Sequence, residues 1–443
     1  MTTLRELPEL AALGGSDHLV RIPPETDVPL TPRVRLLIDT SEFRRLREIS
    51  QLGLVSLVYP AANHTRFEHS LGVYRMALLF LDRLADNPRF AAVIGTKDAE
   101  RFLVAALLHD LGHWPFCHPI EDIRLAQIPT HELFANSFLL EGEIADLLRD
   151  EWDLQPREVM EVFSGKPKDR SGRVLRSLLS GPIDVDKMDY LMRDSLHAGV
   201  PYGRNFDQSR LIQSLCLNEV GDGLAITDKG KTAAEMMVFA RYVMFSEVYW
   251  HHAVRAATAM LQRAFVLLHQ SLDVDALFRL TERPMIDTML AAAGDAPAGE
   301  LLDGLFGPTR RIYKRVAQYS LFQSPEIYQL LARKPYPWLV RCAESLATVA
   351  STALSRVVAP HEVLLDAPPV ELEVEFQIDV YFPKENCYRR LGDISPVVKT
   401  LAREQFDDYV KRVRIFAHPR LADDLRSLGR LSDLIAEAAA QAG

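Results

Sequence analysis

The chain has 443 residues, of which 48% are hydrophobic and 25% are charged, with a formal net charge of −9. These proportions exclude a disordered or collagen-like chain, and the acidic balance argues against a general nucleic-acid coat, which needs excess basic charge to neutralise phosphates. The length allows one large body or two to three domains.

The cysteines and the N-terminus indicate the cellular setting. Four cysteines lie far apart and form no CxxC pair, which disfavours a zinc ribbon or a disulfide framework. The first ten residues include acidic ones and lack the order of a signal peptide. No uncharged apolar run approaches the roughly 18 residues that a membrane span needs. We therefore expect a cytoplasmic protein without a membrane segment.

Apolar residues recur at three- and four-residue spacing from Arg33 to about Val340, as in RFLVAALL and AAEMMVFARYVMF. This spacing indicates packed amphipathic helices, interrupted where Gly or Pro breaks them. We predict a mainly α fold with a helical body over residues 33–345. Its core is expected at about residues 50–200, after an N-terminal extension over residues 1–32.

Strand patterns appear later in the chain. GDGLAITDKG (221–230) predicts a short hairpin, ELEVEFQIDVYF (371–382) alternates with period two, and YVKRVRIFAHP (409–419) has the character of another strand. These segments predict a small C-terminal α+β subdomain over residues 346–443.

The segment RFLVAALLHDLGHWPFCH (101–118) is an apolar helix that ends in a polar cluster. Burying His109 and Asp110 there costs free energy unless a partner compensates. A divalent metal provides that compensation, because imidazole and carboxylate are good ligands for first-row ions. HTRFEHSLGVYRMA (64–77) adds His69, and PIDVDKMDYLMRD (182–194) adds four aspartates.

The order of His69, His109-Asp110 and Asp186 resembles the H…HD…D signature of the HD-domain superfamily of helical, metal-dependent phosphohydrolases. The segments QLG (51–53), YPAANHTRFEHSLGVY (59–74), LLHDLGHWPFCH (107–118), THE (130–132) and DVDKMDYLMRD (184–194) are similar to those of the deoxynucleoside triphosphate (dNTP) triphosphohydrolases. The resemblance extends from about residue 38 to 316. It implies an HD-domain helical bundle in which His69, His109, Asp110 and Asp186 bind Mn, Mg, Fe, Zn or Ni.

The same resemblance implies roles for further residues. His118, Glu121 and His131 would transfer a proton beside the metal, with Glu121 standing where the mammalian family member has aspartate. The implied reaction converts a dNTP to a deoxynucleoside and tripolyphosphate. The implied substrate contacts are Gln51 and Asp194 to the ribose 3′-hydroxyl, Arg66 and Lys187 to the triphosphate, Tyr190 to the sugar, and Arg241, Tyr249 and His251 along the pocket.

A regulatory site is also implied, because IDTSEFRRLREI (38–49) resembles the activator segment of the family. There Asp39, Arg44 and Arg47 would bind GTP or dGTP, and the cluster of Arg44, Arg45 and Arg47 suits a nucleotide. Upstream, IPPET (22–26) departs from the family's D-P-[VI]-H-G. The resemblance also implies a homo-oligomer, with a tetramer favoured, in which activator binding couples assembly to activity.

Other interpretations stay open at this point. The enzyme could be an HD phosphohydrolase for nucleoside monophosphates, cyclic nucleotides or alarmones, or the chain could bind nucleotides or nucleic acid without turnover. His109-Asp110 could simply end a helix, and His118 and His131 could be ordinary surface histidines.

The remaining charged residues also have simpler interpretations. The arginines of residues 44–47 could form an exposed helix face with neighbouring glutamates, and RRIYKRV (310–316) could be an exposed face or a phosphate clamp. Asp122, Asp184 and Asp189 are better interpreted as capping or solvated carboxylates.

Overall fold

The computed structural model describes residues 3–165, 167–369, 377–404 and 410–443. Most of the first 200 residues are helical. The α-helices of this part are α1 (Pro8–Ala11), α2 (Pro32–Asp39), α3 (Ser41–Arg44), α4 (Arg66–Ala85), α5 (Pro88–Ala91), α6 (Thr96–Leu108), α7 (Cys117–Glu121), α8 (His131–Phe134), α9 (Asn136–Leu139), α10 (Glu143–Asp150), α11 (Pro156–Phe163), α12 (Arg170–Ser180) and α13 (Val185–His197).

Helices also dominate the rest of the chain, where two π-helical turns occur at Phe245–Tyr249 and Lys399–Glu404. The α-helices of this part are α14 (Gln208–Gln213), α15 (Lys231–Met244), α16 (His252–Leu268), α17 (Val274–Arg279), α18 (Glu282–Ala293), α19 (Pro297–Phe306), α20 (Pro325–Leu331), α21 (Tyr336–Leu354), α22 (Leu391–Ile394), α23 (Pro396–Val398), α24 (Ala422–Ser427) and α25 (Leu431–Gln441). In the described part of the chain, no helix is long and apolar enough to cross a bilayer.

The described strands form small sheets. They are β1 (Leu19–Ile22), β2 (Thr26–Pro29), β3 (Leu215–Leu217), β4 (Leu224–Thr227), β5 (Lys314–Tyr319), β6 (Val363–Asp366), β7 (Asp379–Phe382), β8 (Cys387–Arg390) and β9 (Val413–Ala417). β1 and β2 form an antiparallel hairpin; the other two sheets have the orders β3-β4-β7-β8 and β5-β9-β6. β4 and β7 pair in parallel, with Ile226 opposite Val380.

The mainly α fold with a small α+β part is confirmed, with differences in detail. The hairpin predicted at 221–230 contains β4, but its partner β3 lies upstream. RRIYKRV leads into β5, so the body predicted over residues 33–345 is not wholly helical. Of the strand predicted at 371–382, residues 371–376 lie outside the described residues and the end forms β7. The boundary predicted between residues 345 and 346 falls inside α21.

Two hydrophobic cores hold the molecule together. In the larger one, α4 packs against α6 and α13, and Tyr74, Phe80 and Phe102 are fully buried. In the smaller one, α21, α25 and β9 meet through residues such as Leu346 and Ile415. Burial of this apolar surface is the main term favouring the fold, and the larger core fixes the three helices that carry the site described below.

Candidate active site

Four predicted metal ligands converge from three helices of the larger core. His69 lies in the second turn of α4, His109 and Asp110 follow the end of α6, and Asp186 lies in the first turn of α13. His69 Nε2 is 3.1 Å from Asp186 Oδ1 and 4.0 Å from Asp110 Oδ2. His109 Nε2 is 3.3 Å from Asp110 Oδ1 and 3.8 Å from Asp186 Oδ1. We call these four residues the metal cluster.

Helix caps place these ligands. The Thr65 side chain accepts a hydrogen bond from the Glu68 backbone at the start of α4, and the Asp184 side chain accepts one from the Lys187 backbone at the start of α13. Such caps satisfy amides that the first helical turn leaves without partners. Each helix therefore begins at a defined residue, and its early turns present His69 and Asp186 to the same point.

The donor set fits a divalent metal. His109 Nδ1 is 3.0 Å from the Ala106 carbonyl oxygen, which can only accept, so Nδ1 carries the proton and Nε2 keeps a lone pair. That Nε2 is buried and has no hydrogen-bond partner among the described residues. A free imidazole nitrogen, with a second imidazole and two carboxylates close to it, suits a first-row divalent ion.

The charges of the metal cluster are strongly coupled. Burial alone would lower the pKa of His69, but the hydrogen bonds to Asp186 and Asp189 raise it to about 10. Burial would raise the pKa of Asp110, yet the neighbouring imidazoles and the Arg66 guanidinium hold it well below its usual range. Without an ion, this site therefore keeps ionised carboxylates beside a protonated imidazole, and a cation binds in competition with that proton.

Asp189 is a positioning residue that the sequence interpretation missed. It is buried, its Oδ2 lies 2.9 Å from His69 Nδ1, and both of its oxygens accept from Arg193 at 2.8 Å. A carboxylate on the second nitrogen of a metal-binding histidine fixes the ring orientation and its tautomer. The expectation of a solvated or capping carboxylate is wrong here. The three-residue spacing from Asp186, which puts both on one helix face, was the available signal.

His118, Glu121 and His131, which we call the acid–base group, come together on α7 and α8. Glu121 Oε1 accepts from the His131 backbone N at 2.6 Å and from its Nδ1 at 3.0 Å, while His118 Nδ1 lies 3.4 Å from Glu121 Oε2. Gly112 permits the close approach of α8, since a Cβ there would lie 2.1 Å from the His131 carbonyl oxygen. These contacts bring together residues that the sequence separates by 13 positions.

The electrostatics of the acid–base group suit proton transfer. Burial alone would raise the pKa of Glu121, but His118 and His131 hold it well below its usual range. Burial would lower the pKa of His131, yet its hydrogen bond to Glu121 raises that pKa. The carboxylate therefore stays ionised and favours the protonated form of His131.

Arg66 and His113 connect the two groups. Arg66 Nη1 donates to Asp110 Oδ2 at 2.7 Å. His113 Nδ1 is 3.1 Å from Asp110 Oδ1, and its ring centroid is 3.9 Å from that of His131. A shared cavity of about 240 Å³ is lined by the metal cluster and by His118 and His131 of the acid–base group, together with Gln51, Arg66 and Tyr190.

Asp194 and Tyr249 form a tight pair near this cavity. The Tyr249 hydroxyl donates to Asp194 Oδ2 at 2.5 Å, and His64 Nε2 lies 2.9 Å from Asp194 Oδ1. His64, which had no assigned role, stacks on His197 at 4.3 Å. Asp194 is therefore held from both sides.

Of the other predicted substrate residues, Lys187 and His251 are placed differently. Lys187 Nζ donates to Asp184 at 2.7 Å, and Lys187 is not among the described residues that line the cavity. The helix expected through Tyr249 and His251 is wrong, because a π-helical turn ends at Tyr249 and His251 caps α16. The Arg241 guanidinium lies over the Phe245 ring at 5.4 Å.

The residues of the predicted activator site lie outside the cavity. Arg44 Nη1 is 3.5 Å from Asp39 Oδ1, with both side chains largely exposed, and the Arg47 guanidinium lies 5.4 Å from the Phe67 ring centre. Arg45 turns inward instead and donates to the carbonyl oxygens of Leu111 and His113 at 2.9 and 2.8 Å. The interpretation of Arg44, Arg45 and Arg47 as one nucleotide-binding cluster is therefore wrong for Arg45.

Comparison with known proteins agrees with this geometry. Residues 66–194 match the HD domain, and residues 206–429 match the HD associated region. An uncharacterized protein of Methanocaldococcus jannaschii is 29% identical over 85% of this chain and 74% of its own length. A crystal structure of a hypothetical protein from Aquifex aeolicus, 27% identical, superposes with a TM-score of 0.70 and covers 93% of this chain and 99% of that one.

A relative whose name states an activity matches a smaller part of the chain. The human deoxynucleoside triphosphate triphosphohydrolase SAMHD1 is 30% identical over 56% of this chain, and the match spans 44% of the human protein. The HD match contains all four residues of the metal cluster and the whole acid–base group, and the HD associated region accounts for half of the chain. The chain therefore belongs to the HD-domain phosphohydrolase family, with an HD domain followed by an HD associated region.

Proposed function

We propose that this phosphohydrolase converts dNTPs to deoxynucleosides and tripolyphosphate. The observation that carries the proposal is the shared cavity, where the metal cluster, the acid–base group, a guanidinium and a tyrosine ring meet. A nucleoside triphosphate needs these features together: positive charge for phosphate, a ring for the sugar, and a proton donor between them. The activity for which the human relative is named points the same way.

A divalent ion on His69, His109, Asp110 and Asp186 would polarise a phosphate oxygen and make a bound water more acidic. Arg66 faces the same region and would bind a phosphate oxygen, its charge already directed by Asp110. The oxygen of the attacking water forms a bond to the α-phosphorus, one proton of that water passes to solvent, and the bond from phosphorus to O5′ breaks. The departing O5′ then takes its proton from His131, whose protonated form Glu121 favours.

The sugar would lie against Tyr190, with Gln51 and Asp194 bonding the 3′-hydroxyl. Asp194 is already held by Tyr249 at 2.5 Å, so its carboxylate is fixed before substrate arrives, which reduces the ordering cost of binding. Tyr190 packed beside the sugar would exclude a 2′-hydroxyl. Lys187 would exchange its contact with Asp184 for phosphate, and Arg241 and His251 would close the pocket around the substrate.

We further propose activation by GTP or dGTP at Asp39, Arg44 and Arg47, in a homo-oligomer with a tetramer favoured. The supporting contacts run from this segment to the start of α4. The Arg66 backbone N donates to the Ile49 carbonyl at 3.0 Å, and the Gln51 N donates to the His64 carbonyl at 2.9 Å. Ordering residues 44–51 around a nucleotide would therefore act directly on the start of α4, which carries His69.

The experiment is chromatography of the products of each dNTP and each ribonucleotide with Mn²⁺ or Mg²⁺, with and without GTP or dGTP. Deoxynucleoside with intact tripolyphosphate supports attack at the α-phosphorus. Release of single phosphates or of pyrophosphate contradicts it. Turnover of only monophosphates, cyclic nucleotides or alarmones would assign the site to another phosphohydrolase reaction of the family.

A further inference from the structure

A second set of ligand-type side chains lies beside the acid–base group. One ring nitrogen each of His113 and His131 and the sulfur of Cys117 lie within 4.8 Å of one another. Cys117 is 1% exposed and His113 is 3% exposed, so both donors are shielded from bulk water. Two imidazoles and a thiol form a softer donor set than the imidazoles and carboxylates of the metal cluster, and thiolate favours Zn²⁺ over Mg²⁺ or Mn²⁺.

The hydrogen bonds of His113 leave one nitrogen for such an ion. Its Nδ1 faces Asp110 Oδ1 at 3.1 Å and the Asp110 carbonyl oxygen at 3.3 Å, and both oxygens accept. Nδ1 therefore carries the proton, and Nε2 keeps its lone pair. Within the described residues, this buried Nε2 has no hydrogen-bond partner, which is costly for a polar atom out of contact with water.

His131 has a similar arrangement, except that its Nε2 also lies 3.4 Å from Glu132 Oε1. Its Nδ1 lies 3.0 Å from Glu121 Oε1 and 3.1 Å from Oε2, so a neutral His131 donates there and presents Nε2 as the ligand. A histidine that donates one N–H to a carboxylate and binds a metal through the other nitrogen is the usual form of a protein metal ligand. Both histidines thus meet that condition, one through Asp110 and the other through Glu121.

We propose that His113, Cys117 and His131 form a second metal site, which takes a soft divalent ion of the Zn²⁺ class. A tetrahedral zinc separates its nitrogen and sulfur ligands by roughly 3.5 Å, given its bond lengths, so donors that lie within 4.8 Å of one another must close in by at most about 1.3 Å. The Cys117 thiol loses its proton to solvent and binds as thiolate. The fourth position takes water.

Occupation of this site removes His131 from proton transfer, because the ion binds the lone pair that would otherwise hold the proton. An ion of the Zn²⁺ class at this site then inhibits the enzyme even when the metal cluster keeps its own ion. This inhibition rests on the function proposed above, whereas binding of the second ion does not.

The test uses the full-length, reduced protein with Co²⁺ as the probe, followed by equilibrium dialysis and metal analysis. We expect two ions per chain and an absorption band of thiolate-to-cobalt charge transfer. Cys117→Ser should keep one ion and lose the band. Cys216→Ser, at another buried cysteine outside these clusters, should keep both ions and the band, and Asp186→Asn should keep the band while losing the other ion.

Absence of the band in the unmodified protein would overturn the site, and this result does not depend on the folding of any variant. A band that survives in folded Cys117→Ser would overturn it as well. In turnover assays with Mn²⁺, the Zn²⁺ concentration for half-inhibition should rise about tenfold or more in Cys117→Ser, since a thiolate ligand is lost. An unchanged value would refute the inhibitory role. If no substrate is turned over, the proposed function fails while the band still decides the site.

Discussion

The metal cluster and the acid–base group lie in one cavity but are built differently. The helices that carry the metal cluster, α4, α6 and α13, have 20, 13 and 13 residues. The acid–base group lies on α7 and α8, which have five and four. His69 is 1% exposed at its side chain, whereas His118 is 61% exposed. The metal ligands are therefore carried by long helices packed in the core, whereas the acid–base group lies on short elements.

Loss of a metal ligand should have the largest effect. Asp186→Asn should reduce turnover by about 10³-fold or more, because a metal contributes several kcal/mol and each 1.4 kcal/mol is roughly tenfold. Metal analysis after dialysis measures the loss of the ion, and kcat/KM measures the loss of turnover. Asp186 suits the test because its side chain is 32% exposed, whereas truncating Asp110 would leave Arg66 buried without its partner. Asp146→Asn, on the surface of α10, is the control; normal metal content in Asp186→Asn would contradict the assignment.

Loss of the carboxylate in the acid–base group should leave metal binding intact. Glu121→Gln should lower kcat on the order of 10²-fold or more, the range of general acid–base catalysis. Glu121 raises the pKa of His131, so its removal lowers that pKa and shifts the alkaline limb of the pH–rate profile to lower pH. The profile of the exposed-site variant Glu143→Gln should match the unmodified protein. An unshifted alkaline limb in Glu121→Gln would exclude His131 as the acid.

Loss of the carboxylate that positions His69 should have a smaller effect. Asp189→Asn should weaken metal affinity by about 10- to 100-fold, the usual cost of losing a carboxylate behind a histidine ligand. Glu68→Gln is the matched control, because Glu68 also binds Arg193, at 2.6 Å, without contacting His69. Metal titration of both variants measures the difference. Equal weakening in the two would assign the effect to Arg193 and the fold rather than to His69.

The smallest effect concerns pH. Because the pKa of metal-free His69 is about 10, its proton must leave when a metal binds, so about one proton is released per ion and affinity rises about tenfold per pH unit below that value. The folded, metal-free protein holds this proton more tightly than the unfolded chain. That contribution to stability is full below about pH 6.5 and is lost as pH rises towards 10. Calorimetry in buffers of different ionisation enthalpy measures the number of protons released. If no proton is released at pH 7, metal binding is not coupled to deprotonation of His69.

The sequence determined more of the metal cluster than of its surroundings. Helical periodicity indicates α4, α6 and α13, and an apolar helix that ends in His109-Asp110 is informative by itself, since the neighbours along the chain are also neighbours in space. The acid–base group could be predicted only from the family resemblance, because residues 118 and 131 meet only through a loop and a close approach at Gly112. Asp189 was misjudged because a helical carboxylate looks the same in sequence whether it faces water or His69.

Long-range pairing was decided only by the tertiary structure. The parallel register of β4 with β7 joins residues about 150 positions apart, and the inward turn of Arg45 depends on the carbonyl groups of Leu111 and His113. Periodicity reports which face of an element is apolar, but the partner of a polar side chain depends on which elements pack against it. The sequence by itself therefore determined the helices and the metal-binding chemistry, and only packing decided which charged side chains contact the metal ligands.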